Sequence, residues 1–136
     1  MKKLVDSAFL LSAIRSRDPH HWICAGYFRD HSQSTWVIPA IAYFEYQAAQ
    51  ARLKKDAQEP YRDLFLPRWE VYDVSLDLIR KAAELDLVNV FERLHGPDLI
   101  CACISRIEQI PLVSCNDTFN HYAAEIEVVN PLLGVA

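Results

Sequence analysis

The chain has 136 residues, 51% of them hydrophobic and 24% charged, a balance typical of one folded domain, here spanning residues 1–136. Its formal net charge of −4 argues against nucleic-acid binding through a broad basic surface. No run approaches the roughly 18 uncharged apolar residues of a membrane span, and no targeting segment is recognisable, so we expect a cytoplasmic protein without a membrane partner.

Strands and helices alternate in the first half of the chain. Asp18 and Pro19 form a strong helix start, because aspartate caps helices and proline is favoured at the first helical position. Residues 35–38 are β-branched and aromatic, which favours a strand, and Pro39 ends the run. The predicted elements are a strand over residues 3–5, a helix over 8–14, a helix from 19 to about 30, a strand over 35–38 and a helix over 41–55.

The second half continues this alternation. Leu76, Ile79 and Ala83 form one stripe of a helix, and Gly96 with Pro97 stops whatever precedes them. The predicted elements are a short helix with connections over residues 56–68, a strand over 69–72, helices over 75–85 and 98–108, and strands over 112–114 and 125–129. Such alternation predicts a mainly parallel sheet covered on both faces, whose ligands collect at the carboxyl ends of the strands.

Glu45 is the most informative acidic residue. It shares an i, i+3, i+4, i+7 stripe with Ile41, Phe44 and Ala48, and this stripe should face the sheet. A carboxylate on an apolar stripe needs a partner. In the structural explanation Glu45 forms a salt bridge or meets solvent at the edge of the stripe, and in the functional explanation it belongs to a cluster of acids.

Two aspartates stand at predicted helix starts. Asp6 follows the first strand and Asp98 opens a helix, positions where a carboxylate caps free amide groups and gains about 0.3–1 kcal/mol from the helix dipole. Capping explains either residue alone. The functional interpretation therefore rests on the set formed by these two acids and Glu45.

Four blocks of sequence occur in the order found in one known family, and together they cover nearly the whole chain. They are Leu4-Val5-Asp6-Ser7 with its following apolar helix, Ile38-Pro39-Ala40 leading to Phe44-Glu45, Gly96-Pro97-Asp98-Leu99-Ile100 leading to Ala102, and Ile110-Pro111-Leu112-Val113-Ser114 leading to Asp117 and Phe119. In this ordered series the chain resembles PIN-domain proteins of the VapC-type toxin nuclease group.

The resemblance implies a PIN-like three-layer α/β/α sandwich whose five-stranded parallel sheet has the order 3-2-1-4-5. Strand order then reverses between strands 1 and 4, where ligand crevices form in such sheets. Asp6 and the turn from Ser114 to Asp117 would follow these two strands. Glu45 and Asp98 would reach the same crevice from flanking helices.

The last block departs from the family's pattern of Thr, any residue and Asp, with Phe three residues after the Asp. Counting back from Phe119 puts Asn116 in the place of the aspartate and Ser114 in the place of the threonine, so that Asp117 is shifted by one position. The sequence leaves open whether Asn116, Asp117 or both face a metal. Ser114 is expected to orient the turn or the water network.

Clustered carboxylates repel one another, which raises at least one pKa and favours a hard cation such as Mg²⁺ or Mn²⁺. The resemblance implies an endoribonuclease that leaves 5′-phosphate and 3′-hydroxyl ends. Asp6, Asp98 and the turn at residues 116 and 117 would hold the metal, which activates a water and stabilises the phosphate. Glu45 would be a further ligand or the general base.

Several aromatic side chains of the long helix and the segment after it are interpreted first as core: Tyr43, Tyr46, Tyr61, Phe65 and Trp69. In the family, the corresponding region forms part of a homodimer surface and of a groove for the antitoxin's chain. The resemblance therefore implies a homodimeric toxin that has RNA as its substrate and an antitoxin protein as its partner.

Other motifs favour structural roles. The histidines at residues 20–21 point about 100° apart on a helix, and the four cysteines lack CxxC or zinc-finger spacing. Three arginines lie in the first 30 residues: Arg15, Arg17 and Arg29. A solvated face explains them better than phosphate contacts do, because aspartates lie among them.

Two other functions are compatible with parts of this sequence. The nearer alternative is a PIN-like RNA- or protein-binding module with a degraded catalytic site, marked by Asn116, which metal-dependent turnover would distinguish. The second is a phosphoacceptor signalling domain, which also uses an acidic magnesium pocket but needs a lysine after its last strand. Here the fifth strand is followed by Asn130 and Pro131, and no lysine follows Lys81, so this alternative is disfavoured.

Overall fold

A five-stranded parallel sheet forms the centre of the computed structural model, which describes residues 1–55 and 68–134. The strand order is β3-β2-β1-β4-β5, which confirms the predicted order 3-2-1-4-5. The strands are β1 (Lys2–Val5), β2 (Thr35–Pro39), β3 (Trp69–Tyr72), β4 (Leu112–Val113) and β5 (Val128–Val129). The helix and connections predicted over residues 56–67, with the aromatics Tyr61 and Phe65, lie outside the described residues.

Helices connect the strands and cover both faces of the sheet. They are α1 (Ser7–Ile14), α2 (His21–Asp30), α3 (Ala40–Lys55), α4 (Leu76–Glu84), α5 (Leu87–Val90) and α6 (Gly96–Glu108), with short 3₁₀ helices at Asp117–Tyr122 and Pro131–Gly134. In the part of the chain that the structure describes, no helix combines the length and the apolar character needed to cross a bilayer.

Each face of the sheet has its own apolar core, because consecutive strand residues point to opposite faces. Leu4 and Val37 belong to the core beneath α4, α5 and α6. Their strand neighbours Val5 and Trp36 belong to the core beneath α1, α2 and α3. The buried parts of the inner strands, Leu4-Val5, Trp36-Val37-Ile38 and Leu112-Val113, are apolar because both of their faces are covered, and the result is a three-layer α/β/α sandwich.

The start of α2 lies two residues beyond the predicted Pro19. The Asp18 carboxylate accepts a hydrogen bond from the His20 amide at 2.8 Å, so it closes a turn that precedes the helix. His20 then takes the N-cap position and the helix begins at His21. A capping dipeptide and a turn of this kind use the same residues, which is why the sequence alone placed the boundary too early.

The strand predicted over residues 125–129 is wrong in its first half. The amides of Glu125 and Ile126 both donate to the Tyr122 carbonyl, at 2.9 and 3.0 Å. These donors therefore belong to the turn after the 3₁₀ helix Asp117–Tyr122, an element the sequence did not predict. The pairing of β5 with β4 is left to Val128–Val129.

The apolar stripe predicted on α4 is exposed. Leu76 and Ile79 are 60% and 56% accessible to solvent, whereas Leu78 is buried and Ala82 packs beside it in the core beneath α4, α5 and α6. The helix thus carries two apolar stripes, of which the core accommodates one. Periodicity alone could not choose between them.

Candidate active site

A cleft of about 380 Å³ opens at the carboxyl end of β1, between α1, α3 and the start of α6. Four acidic residues line it: Asp6, Asp18, Glu45 and Asp98. β1 pairs with β2 on one side and β4 on the other, so the cleft lies where the strand order reverses. The topology therefore brings together Asp6, Glu45 and Asp98, which the sequence analysis selected as a set.

Asp6 is the buried centre of the cleft, with only 3% of its surface exposed. It is the N-cap of α1, where its Oδ1 accepts a hydrogen bond from the Phe9 amide at 2.9 Å. Its Oδ2 accepts a second bond, at 2.6 Å, from the Ser114 hydroxyl. The pKa of Asp6 is raised from its ordinary 3.8 to about 6, mainly by burial. The two hydrogen bonds lower the pKa, and the negative charge of Asp98 raises it.

Ser114 connects the cleft to the turn after β4. Its fully buried hydroxyl donates to Asp6 and accepts from the Asn116 amide at 3.0 Å. Its own amide donates to the Val129 carbonyl at 3.0 Å, which fixes the end of β4 against β5. The serine hydroxyl thus contacts both the central carboxylate and the backbone of the turn.

Asn116 contacts one acid of the cleft, whereas Asp117 contacts none of them, and neither residue is part of the cleft lining. The Asn116 side-chain amide donates to Asp98 Oδ2 at 3.3 Å, and its carbonyl oxygen caps the following 3₁₀ helix by accepting from the Thr118 amide at 3.0 Å. Asp117 is exposed, and its Oδ1 accepts a bond from Asn130 at 3.4 Å. Of the two neighbouring residues, it is the asparagine that contacts a member of the acidic set.

Asp98 lies in the first turn of α6 and is half-buried. Burial raises its pKa, and the negative charge of Glu45 raises it further. Asp98 in turn raises the pKa of Asp6. The acids thus form an electrostatically coupled series in which each ionisation opposes the next.

Glu45 reaches the cleft from an orientation of α3 that differs from the predicted one. Phe44, on the stripe expected to face the sheet, is 71% exposed, while Ala42 and Ala49 are buried instead. Alanine lets helices approach closely, and α3 packs on α1 along this small-residue face. Glu45 therefore lies at the edge of the buried face, where it accepts a hydrogen bond from the Ser7 hydroxyl at 3.0 Å.

Cys101 of α6 also lines the cleft and lies near all three acids. It is 1% exposed, and its thiol pKa is raised well above the ordinary value by burial and then by the charges of Asp6, Asp98 and Glu45. The charges of all three carboxylates thus act on one buried thiol, as their shared place in the cleft lining requires. The raised pKa disfavours the thiolate form of Cys101.

The donor chemistry of the cleft suits a hard divalent cation. Within residues 1–55 and 68–134, no three His, Cys, Asp or Glu side chains are placed closely enough to hold an ion together. Mg²⁺, however, commonly takes only one or two carboxylates and keeps several waters. The raised pKa values of Asp6 and Asp98 indicate negative charge that a cation would compensate. Oxygen atoms of these two residues therefore fit Mg²⁺ or Mn²⁺ with water completing the coordination.

Three residues of the cleft were missed as functional candidates by the sequence analysis. Ser7 holds Glu45, Cys101 forms part of the floor, and His95 lines the cleft at the N-cap of α6. The position of Ser7 directly after Asp6 was the available signal. For Cys101, three residues after Asp98 on one helix, the signal was the i, i+3 spacing that places both side chains on one face.

Comparison with known proteins identifies a family. A sequence profile described as the PIN domain matches residues 3–125, which is most of the chain. No curated protein sequence matches significantly.

Solved structures show the same fold at low sequence identity. A chain of the VapBC2 complex from Rickettsia felis, crystallised with a DNA fragment from the promoter of its genes, has a TM-score of 0.64 at 20% identity, covering 96% of this chain and 98% of that one. A chain of FitAB bound to an IR36 DNA fragment has a TM-score of 0.65 at 15% identity, with coverage of 96% and 95%. A chain of FitAcB from Neisseria gonorrhoeae has a TM-score of 0.60 at 13% identity, with coverage of 97% and 99%.

Proposed function

The chain belongs to the PIN domain family, and we propose that it is a metal-dependent endoribonuclease that hydrolyses RNA phosphodiester bonds. The observation that carries this proposal is the convergence of Asp6, Glu45 and Asp98, from three separate elements, on one cleft. Structural cores do not collect carboxylates without basic partners, because each buried charge is costly. The raised pKa values of Asp6 and Asp98 are the signature of that cost.

In this proposal Asp6 and Asp98 hold Mg²⁺ or Mn²⁺, which when bound supplies an acidified water and neutralises charge on the phosphate. Ser114 keeps Asp6 oriented through its 2.6 Å bond, and Asn116 does the same for Asp98. Glu45, held by Ser7, takes the proton from the attacking water or joins the metal ligands. The 3′-oxygen leaves with a proton from solvent, giving 5′-phosphate and 3′-hydroxyl ends.

Asn116, rather than Asp117, takes the fourth position of the site in this proposal. Its amide contacts Asp98, while Asp117 bonds to Asn130 outside the cleft lining. The Asn116 side chain is uncharged, its oxygen accepts from the Thr118 amide, and its NH2 group donates to Asp98. It therefore positions Asp98, and the site holds its cation with one negative charge fewer than a fully acidic set.

The same asparagine favours one alternative function, a PIN-like RNA- or protein-binding module without turnover. The lack of a three-residue ligand group among the described residues points the same way. Metal-dependent cleavage separates the two functions, because a binding module retains RNA in the presence of Mg²⁺ without shortening it.

The partners are proposed from the family and from the structural neighbours. We propose that the protein is the toxin of a toxin–antitoxin pair, acts in the cytoplasm, and forms a homodimer. VapBC2 and FitAB are both complexes that contain a chain of this fold. The family resemblance implies a dimer surface at the region of α3. A second apolar surface is formed by Leu76, Ile79 and Val88, beside a groove of about 230 Å³, and a further chain would cover it. Light scattering at micromolar concentration tests the dimer.

The nuclease proposal is tested with purified wild-type protein and the variants Asp6→Asn and Asp98→Asn, assayed on single-stranded and structured RNA with Mg²⁺ or Mn²⁺. We expect cleavage by the wild type and a loss of at least about a hundredfold in each variant. Asp77→Asn is the matched control, because Asp77 also lies in the first turn of a helix but is exposed and paired with Lys81. Equal activity in all four proteins would contradict the proposed site.

A further inference from the structure

Arg15 lies at the opposite end of α1 from Asp6 and lines the same cleft. The residues of α1 that face the cleft run along one side of the helix from Ser7 to Ser12, and Arg15 follows at the C-cap. Nine residues separate Asp6 from Arg15, which corresponds to about 13 Å at 1.5 Å per residue. The cleft therefore has Asp6, Glu45 and Asp98 at one end. At the other end Arg15 lies next to Asp18, whose amide donates to the Arg15 carbonyl, and one helix face connects the two ends.

The backbone of Arg15 is fixed, and its guanidinium is available. Its amide donates to the Leu11 carbonyl and its carbonyl accepts from the Asp18 amide, both at 3.0 Å. Among the residues that the structure describes, the half-buried side chain makes no ion pair or hydrogen bond, whereas Arg29 already contacts Asp30 at 3.6 Å. The main influences on the pKa of Asp6 are burial, hydrogen bonds and Asp98, so Arg15 does not act as its counter-ion.

We propose that Arg15 binds a phosphate group of the RNA chain next to the phosphate that is cleaved. This inference rests on the proposed ribonuclease function. Guanidinium groups bind phosphate through paired, charge-assisted hydrogen bonds, and a half-buried arginine loses little hydration in doing so. The separation along α1 assigns it to a neighbouring phosphate, because the cleaved one must lie beside Asp6 and Asp98.

This assignment revises the solvated role that the sequence favoured for the early arginines. The solvated interpretation holds for Arg29, whose side chain is 77% exposed. Arg15 differs because it is half-buried and lines the cleft. A chain with a net charge of −4 needs such local positive groups to hold a polyanion.

The first test measures binding of a fluorescent single-stranded RNA at several salt concentrations, in the Asp6→Asn background so that no cleavage occurs. Each phosphate contact contributes about 0.7 to the slope of log affinity against log salt for single strands. We expect Arg15→Ala to reduce the slope by about 0.7 and to weaken binding roughly tenfold at low salt. Arg15→Lys should retain the slope, and the control Arg29→Ala should leave slope and affinity unchanged.

The second test identifies the phosphate, using RNA in which single phosphates are replaced by uncharged methylphosphonates. In the protein with Asp6 intact, neutralising the phosphate next to the cleaved bond should raise KM about tenfold with little change in kcat, and Arg15→Ala should then cause no further loss. An Arg15→Ala variant that lowers kcat at unchanged KM would contradict the assignment.

The outcomes separate this inference from the nuclease proposal. If the wild type cleaves RNA and Arg15→Ala matches Arg29→Ala in slope and KM, Arg15 is not a phosphate ligand and the nuclease assignment stands. If the wild type neither binds nor cleaves RNA, both are wrong. Thermal melting checks that each variant is folded. If Arg15→Ala is unfolded, Arg15→Gln replaces it, with the same expected reduction in the salt slope.

Discussion

Replacing Asp6 by asparagine should stabilise the metal-free protein at neutral pH. The pKa of Asp6 is about 6 in the folded chain, against an ordinary 3.8. A raised carboxyl pKa means that the folded state prefers the protonated form of Asp6. The stability that protonated Asp6 contributes is therefore complete below about pH 4 and is lost as pH rises through about 6. At about 1.4 kcal/mol per pKa unit, the ionised Asp6 costs about 3 kcal/mol at pH 7.5.

Asparagine removes this charge and keeps the helix cap. Its side-chain oxygen can still accept from the Phe9 amide, since asparagine is as good an N-cap as aspartate. The Ser114 hydroxyl loses a carboxylate acceptor, which offsets about 1 kcal/mol of the gain. The net expectation for Asp6→Asn is a stabilisation of about 2 kcal/mol at pH 7.5, together with the loss of nuclease activity.

Urea denaturation from pH 4 to 8 in EDTA measures this difference. The gap between Asp6→Asn and wild type should be about 2 kcal/mol at pH 7.5. It should vanish or reverse near pH 4, where Asp6 is protonated in the folded state and close to its ordinary pKa of 3.8 in the unfolded state. The exposed control Asp77→Asn should stay within about 0.5 kcal/mol of wild type. A variant less stable than wild type at pH 7.5, or a gap that does not change with pH, would refute the electrostatic explanation.

Three further changes test the contacts around this carboxylate. Ser114→Ala removes a hydrogen bond that lowers the pKa of Asp6, so the acidic limb of the pH–activity profile should move to higher pH, as steady-state kinetics from pH 5 to 9 would show. Asn116→Asp places another negative charge beside Asp98, and calorimetric titration should show roughly tenfold tighter Mn²⁺ binding. Phe119→Ala empties a fully buried position beneath the turn and should destabilise the protein by about 3–5 kcal/mol in urea denaturation, whereas Phe44→Ala on the exposed face of α3 should change it little.

The sheet was predictable because burial on both faces leaves a strong pattern. Residues 4–5, 36–38 and 112–113 are apolar in succession, and helical segments separate them, which leaves a parallel doubly covered sheet as the simplest architecture. The strand order came from the family resemblance. The convergence of Asp6 and Asp98 followed from their positions after β1 and at the start of α6.

The details that failed depend on contacts that periodicity does not contain. Glu45 was predicted on a stripe facing the sheet, yet α3 packs through Ala42 and Ala49, whose small size allows close approach. Because alanine is only weakly hydrophobic, a hydrophobicity pattern does not identify this buried face. The register of the turn at Asn116 and Asp117 depends on one side-chain hydrogen bond to Asp98. Neither feature has a signature in a single sequence.

The hydrogen bonds of the cleft form one continuous chain that crosses the topological switch point. The Phe9 amide bonds Asp6, Asp6 bonds Ser114, Ser114 bonds Asn116, and Asn116 bonds Asp98. The chain therefore starts on α1 and ends on α6, with the turn after β4 between them. A cation held by the first and last carboxylates would close this chain into a ring. Because it would bind the folded state alone, it should raise stability by RT ln(1 + [M]/Kd) and reverse the cost of ionising Asp6. Burial of Asp6 thus couples folding to cation binding: the residue that weakens the metal-free fold at neutral pH is the one through which a cation would strengthen it.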